Sequence, residues 1–115
     1  MREHTDTLRR LAMNDEHFIE RSLAVRLTAV EPSCLDPKTH ALIRIGALIA
    51  LDATTASYQS NTSTALAAGA KPDEIVDVLM AVAPIVGVAR VVSAAREIAL
   101  AIGYDVDAAF EAVEP

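Results

Sequence analysis

The stretch Asp36-Pro37-Lys38-Thr39-His40-Ala41-Leu42-Ile43-Arg44-Ile45-Gly46-Ala47-Leu48-Ile49-Ala50-Leu51-Asp52 sets the fold class. Aspartate followed by proline marks a helix start. The carboxylate caps orphan N–H groups, and proline at the first helical position has no N–H to lose and a φ already suited to the helix. From Ala41 to Leu51 only Arg44 and Gly46 interrupt a run of aliphatic side chains. Such a run predicts a helix buried on nearly every side. Gly46 disfavours a helix interior by about 1 kcal/mol relative to alanine, so a second helix is expected to cross closely there. The run is far short of the ~20 residues that a membrane span requires. The apolar stretch Val78–Ala89 is also short and is broken by Pro84 and Gly87.

Downstream, the punctuation repeats. A helix is expected from Thr54 to Ala68, ending at Gly69 in the left-handed conformation. Lys71-Pro72-Asp73-Glu74 opens the next, with proline at the first position and two acids where the helix dipole favours them. It is expected to bend or end at Pro84, since proline removes a backbone hydrogen bond and clashes with the preceding turn. Another helix follows from Val88 to Ile102, closed by Gly103, and a short one is expected between Tyr104 and Val113. Upstream, Glu3–Met13 forms a polar amphipathic helix with Leu8, Leu11 and Ala12 on one side. Asn14 is the expected N-cap of a second helix carrying Phe18, Ile19, Leu23 and the segment Val25 to Leu27 on its apolar face. Residues 30–35 read as a linker. No strand-length segment alternates with period two. The expectation is an all-α bundle of six to seven helices in three parts: a helical extension over 1–34, a core over 35–103 and a short helix over 104–115.

Composition narrows the function classes. Hydrophobic residues make up 52% of the chain and aromatics 3%, so the apolar surface is aliphatic and suits helix packing. A mean hydropathy of +0.30 is more than a domain of this size can hide within itself, so part of it is expected at subunit contacts. A net charge of −6 argues against nucleic acid, which selects clustered lysine and arginine. One cysteine, Cys34, excludes an internal disulfide and a cysteine-pair metal site. The charged N-terminus has no hydrophobic leader core behind it. A cytoplasmic protein with no membrane partner is expected.

The block from Leu35 to Gly103 resembles the carboxymuconolactone decarboxylase family of the alkylhydroperoxidase D-like superfamily. The resemblance is carried by Leu35-Asp36-Pro37-Lys38-Thr39, by Ala65-Leu66-Ala67-Ala68-Gly69-Ala70, and by Pro72-Asp73-Glu74-Ile75 with Val76-Asp77-Val78-Leu79. Gly87 then precedes the last core helix. It implies an all-α bundle assembling as a homotrimer or homohexamer, with active sites near subunit contacts. Redox members of the family carry Cys-x-x-Cys-x-x-x-His on the helix that begins here at Thr54. Counting back from Gly69 puts Thr54 and Ser57 at the cysteine positions and Asn61 at the histidine position. The acidic residue that redox members place on the preceding helix aligns near Ala41 or Leu42. A hydroxyl forms no disulfide and an amide does not titrate, so thiol peroxidase activity is not expected. Family members that process lactones usually keep the histidine. The resemblance therefore implies a family protein with a degenerate site that binds or acts on a small lactone or carboxylate. Its rival is a non-catalytic structural or regulatory oligomer.

Thr54, Ser57, Asn61 and Thr64 lie at i, i+3, i+7 and i+10, on one helix face. This face is either a polar pocket wall or a close packing surface whose hydroxyls bond back to their own helix. Tyr58 adjoins it and could cap a pocket, or pack in the core. Arg44, alone in an apolar helix, must be paired if buried and is a candidate anion holder. His40 is the candidate acid or base of a cofactor-free reaction, since histidine is the side chain whose unperturbed charge change falls near neutrality, or a partly exposed helix-start residue. Arg90 and Arg96 invite the same choice, with Glu97 or Asp77 as possible partners. No histidine–carboxylate cluster has metal-ligand spacing, and the scattered glycines form no phosphate loop, so neither metal nor cofactor is expected.

Overall fold

The computed structural model describes residues 4–23, 34–104 and Val106. All regular structure among them is helical: α1 (His4–Ala12), α2 (Glu16–Leu23), α3 (Pro37–Leu51), α4 (Thr55–Ala67), α5 (Pro72–Val86) and α6 (Val88–Ala101). Their contacts divide the chain into two compact units, Met1–Asp36 and Pro37–Pro115. The expected segment Val25–Leu27, most of the linker and the C-terminal helix beyond Tyr104 lie outside the described residues, apart from Val106.

In the first unit the boundary between helices differs from expectation by one residue. Asn14 adopts a φ of 57° and ends α1 rather than capping α2. Its N–H donates to the Leu11 carbonyl at 3.1 Å, and the Asp15 N–H donates to the Arg10 carbonyl at 3.0 Å. This is the paired C-terminal closure that asparagine can support because it tolerates the left-handed region. The cap of α2 is Asp15, whose Oδ1 accepts from the Phe18 N–H at 3.1 Å. Arg10 lies over the Phe18 ring, 5.6 Å from its centroid, and bonds Asp6 at 3.1 Å. Two good capping residues stand side by side in the sequence, and only backbone geometry separates their roles.

The second unit is a four-helix core in which α3 packs against α4, α5 and α6, and α6 packs against α4 and α5. Ala41, Ile45 and Ile49, one turn apart on α3, are buried with Tyr58, Ala65, Ile75, Leu79, Ala94 and Ile98. Burial of α3 is one-sided, however. Ile43 and Leu51 are exposed, so the expected all-round burial is not met within one chain. Three neighbouring helices cover one face of α3 and leave the other to solvent.

Gly46 does face a neighbour, as its sequence context suggested, but glycine is not demanded. A methyl group there would lie 3.5 Å from Val78 and 3.6 Å from Val82, ordinary packing distances. Gly46→Ala is therefore expected to stabilise the protein by about 0.5–1 kcal/mol through lower unfolded-state entropy, measurable by urea denaturation. Destabilisation would show that α3 and α5 approach more closely than these distances indicate.

The helix ends hold the elements in place. Asp52 closes α3 at a φ of 53°, with its N–H on the Ile49 carbonyl and the Ala53 N–H on the Leu48 carbonyl at 3.1 Å. Thr54 caps α4 by accepting from the Ser57 N–H at 3.3 Å. Gly69, at a φ of 97°, ends it as expected. Helix α5 starts at Pro72, and Glu74 accepts the Lys71 N–H at 2.9 Å while bonding Lys38 of α3 at 3.0 Å. The Lys71 N–H, and then the Lys38 ammonium, hold the Glu74 carboxyl below the usual carboxylate range. Of the two expectations at Pro84, a bend or an end, the second is not met: α5 runs past it to Val86. A proline so near the C-terminus removes one bond where the remaining carbonyls are already running out of donors. Gly87, at a φ of 89°, makes the break instead.

Candidate functional site

The candidate site is built on α3, α4 and the turn Asp52-Ala53-Thr54 that joins them. At its start the Thr54 and Ser57 hydroxyls meet at 3.1 Å, both near the surface. One turn on, Asn61 is only 4% exposed, and its amide donates to the Ser57 carbonyl at 2.9 Å. Thr64 donates to the Ser60 carbonyl at 3.0 Å. The polar face expected from the sequence therefore exists, grading from exposed Thr54 to buried Asn61. Part of its hydrogen-bonding capacity is taken up by its own helix, because serine, threonine and asparagine readily bond carbonyls one turn back.

Tyr58 is 1% exposed and belongs to the core. Its hydroxyl donates across to the Leu48 carbonyl of α3 at 3.1 Å, one of the carbonyls near the end of that helix. Burial pushes this phenol above its usual range, and the carboxylates of Asp52 and Glu97 act in the same direction, against the Ala53 backbone. His40 and Arg44 are half-buried, one turn apart on α3 and so on one face of that helix. They share a helix with each other but not with the α4 face, although α3 and α4 are packed together. Both make interactions of their own. Cys34 is exposed.

Helix α6 supplies groups that the sequence reading placed only loosely. Arg90, for which ion pairing and anion binding were both open, donates its guanidinium N–H to the Ala50 carbonyl at the end of α3, where a cation complements the helix dipole. Ser93 donates to Asp52 at 3.3 Å. Glu97, expected only as a possible partner for Arg90 or Arg96, has an oxygen, Oε2, that is sealed from solvent with no hydrogen-bond partner among the described residues; the Thr62 hydroxyl on α4 shares that condition. The signal for Glu97 was present in the sequence. It sits between Ala94 and Ile98, both buried, so an acid occupies the edge of the apolar face of α6.

No described helix is long and apolar enough to cross a membrane. The model of the carboxymuconolactone decarboxylase family matches residues 16–101. The match begins at the first residue of α2 rather than at Leu35, so it includes part of the segment read as an extension. Among curated proteins and among solved structures nothing matches this chain.

Proposed function

Because the chain belongs to the carboxymuconolactone decarboxylase family, we propose that it binds or acts on a small lactone or carboxylate at the polar face of α4, with the family's redox residues replaced. The all-helical arrangement is the alkylhydroperoxidase-like fold of that family. The observation that carries the reading is Asn61. This polar side chain is only 4% exposed, beside buried Tyr58 and Thr62 in a largely aliphatic core, and the family resemblance aligns it with the proton-handling histidine of redox relatives. In this reading Ser57 and Asn61 offer hydrogen bonds to the neutral part of the ligand, and Thr54 and Tyr58 bound the site. Arg44 holds the carboxylate, and His40 is the acid or base on the α3 side. Thr54 and Ser57 can form no disulfide, so the site works without thiol redox chemistry and without a cofactor.

A second reading is favoured by one observation: the Asn61 and Thr64 side chains are both turned onto carbonyls of α4 itself. In that reading the polar face is internal packing and the protein is a structural or regulatory oligomer. Self-association as a homotrimer or homohexamer is part of both readings. It is supported by the exposed aliphatic side chains at the α5–α6 corner, and a cytoplasmic location goes with it.

Calorimetric titration with an unsaturated five-membered lactone bearing a carboxymethyl group separates the two. The expected result is saturable binding that weakens at least about tenfold in Arg44→Ala, the loss of one charge-assisted contact. Absence of binding by the wild-type protein favours the structural reading. Dithiol-dependent peroxide reduction by the pure protein would overturn the replacement of the redox residues.

A further inference from the structure

We propose that Glu97 is a proton-accepting carboxylate for a small molecule bound at the half-buried edge of α6 where it meets α4, a role that rests on the lactone-binding reading above. Its inward oxygen, Oε2, is sealed from solvent and has no hydrogen-bond partner among the described residues. A carboxylate oxygen is among the costliest groups to leave without a donor, and folded chains nearly always supply one.

Donors are close in the sequence and are committed elsewhere. Ser93, one turn earlier on α6, bonds Asp52, and Arg90, a further turn back, bonds the Ala50 carbonyl. Tyr58, whose hydroxyl feels the Glu97 charge, donates to the Leu48 carbonyl. Thus three donors around the junction of α3, α4 and α6 all serve the end of α3, and none turns to Glu97.

A second open group lies on the facing helix. Thr62, one turn after Tyr58 on α4, is completely buried and its hydroxyl has no partner. Helices α4 and α6 pack directly against each other. An acceptor on one and a hydroxyl on the other are therefore left open among the described residues. Glu97 as a residue is half-buried, so the carboxylate has an approach from the surface while Oε2 faces inward.

The chemistry follows from the group. A carboxylate in a dry site takes a proton from carbon when the resulting pair is delocalised into a carbonyl. For a bound unsaturated lactone, the C–H bond next to the conjugated carbonyl system breaks and its proton passes to the Glu97 carboxylate, which is reached from its surface side. The electron pair moves into the carbonyl as an enolate. Return of the proton from the carboxylic acid to the same or the conjugated carbon restores the carboxylate, with no oxidant, reductant or other reactant. This places proton abstraction on α6 and leaves His40 of α3 the acid, rather than the base, of that reading.

Two measurements on the full chain test the assignment. In the free protein, Glu97→Leu is expected to raise the thermal midpoint by about 2–4 °C, since it removes an unmet acceptor from a packed site. A lowered midpoint would mean Glu97 is a structural residue and would overturn the proposal. In deuterated water, NMR of the carboxymethyl lactone should show protein-catalysed deuterium incorporation next to the carbonyl system. Glu97→Gln should slow it by at least about 100-fold while line broadening reports unchanged binding. Binding without Glu97-dependent exchange would overturn this proposal and leave the lactone-binding reading intact. No binding to the wild-type chain would overturn both.

Discussion

Ile45→Ala is expected to destabilise the four-helix unit by about 3–4 kcal/mol, within the range for truncating a fully buried isoleucine. Ile45 is fully buried and lies midway along the α3 stripe formed with Ala41 and Ile49. The loss combines the transfer energy of the removed carbons with the cavity left behind. Alanine already occupies several neighbouring core positions, among them Ala41, Ala65 and Ala94, and small residues cannot swing inward to fill the gap. Against a total stability of about 5–15 kcal/mol, that is a large fraction. Urea denaturation of the variant checks it. A loss below about 1 kcal/mol would mean that the α3 stripe is not the centre of the core.

A double substitution at the corner between α5 and α6 is expected to change the mass of the particle. Ile85 is 86% exposed and Val88 80% exposed in the isolated chain. They lie three residues apart across Gly87, and Met80 of α5 and Val92 of α6 are exposed as well. Burial of each such side chain contributes about 1.5–3 kcal/mol, so a contact that repeats in a symmetric assembly gains this at every interface. Ile85→Asp with Val88→Asp replaces that gain by the desolvation of two charges per chain. Light scattering should show the wild-type protein as a trimer or hexamer and the variant as a monomer of 12.2 kDa. Since both side chains are already exposed within one chain, the helical content of the variant should not change. A wild-type monomer would refute the self-association proposal, and an assembly that survives the substitution would move the interface elsewhere.

The helices were legible because their ends are written in residues with few alternatives. Pro37, Pro72, Gly69, Gly87 and Gly103 lie at the helix boundaries that the sequence indicated. Where two residues could serve, tertiary geometry decided. Asn14 and Asp15 are both capping types, and the left-handed turn at Asn14 assigned the cap to Asp15. Pro84 reads as a break in any sequence, yet so close to the end of α5 it costs too little to stop the helix. The aliphatic run of α3 states how apolar the helix is. It does not state how much of that surface one chain covers, and Ile43 and Leu51 are left exposed.

The site was legible only in outline. The spacing of Thr54, Ser57 and Asn61 placed them on one face, and the structure keeps them there. Spacing within a helix does not reveal where a side chain places its hydrogen bonds, and Asn61 returned its amide to Ser57. Nor does it reveal contacts between helices far apart in the chain. Tyr58 meeting Leu48, Arg90 meeting Ala50 and Ser93 meeting Asp52 all depend on how α3, α4 and α6 come together. The orphaned oxygen of Glu97 is a product of that same packing and has no signature in local sequence beyond an acid on an apolar edge.

The central claim is that the polar face of α4 remains a binding site after loss of the family's redox residues. It is tested most directly by titrating the isotopically labelled protein with the carboxymethyl lactone and following each backbone amide by NMR. The account predicts saturable shifts concentrated at Ser57, Tyr58, Asn61 and Arg44, greatly reduced in Arg44→Ala. Shifts absent from α4, or confined to the surface of other helices, would contradict it.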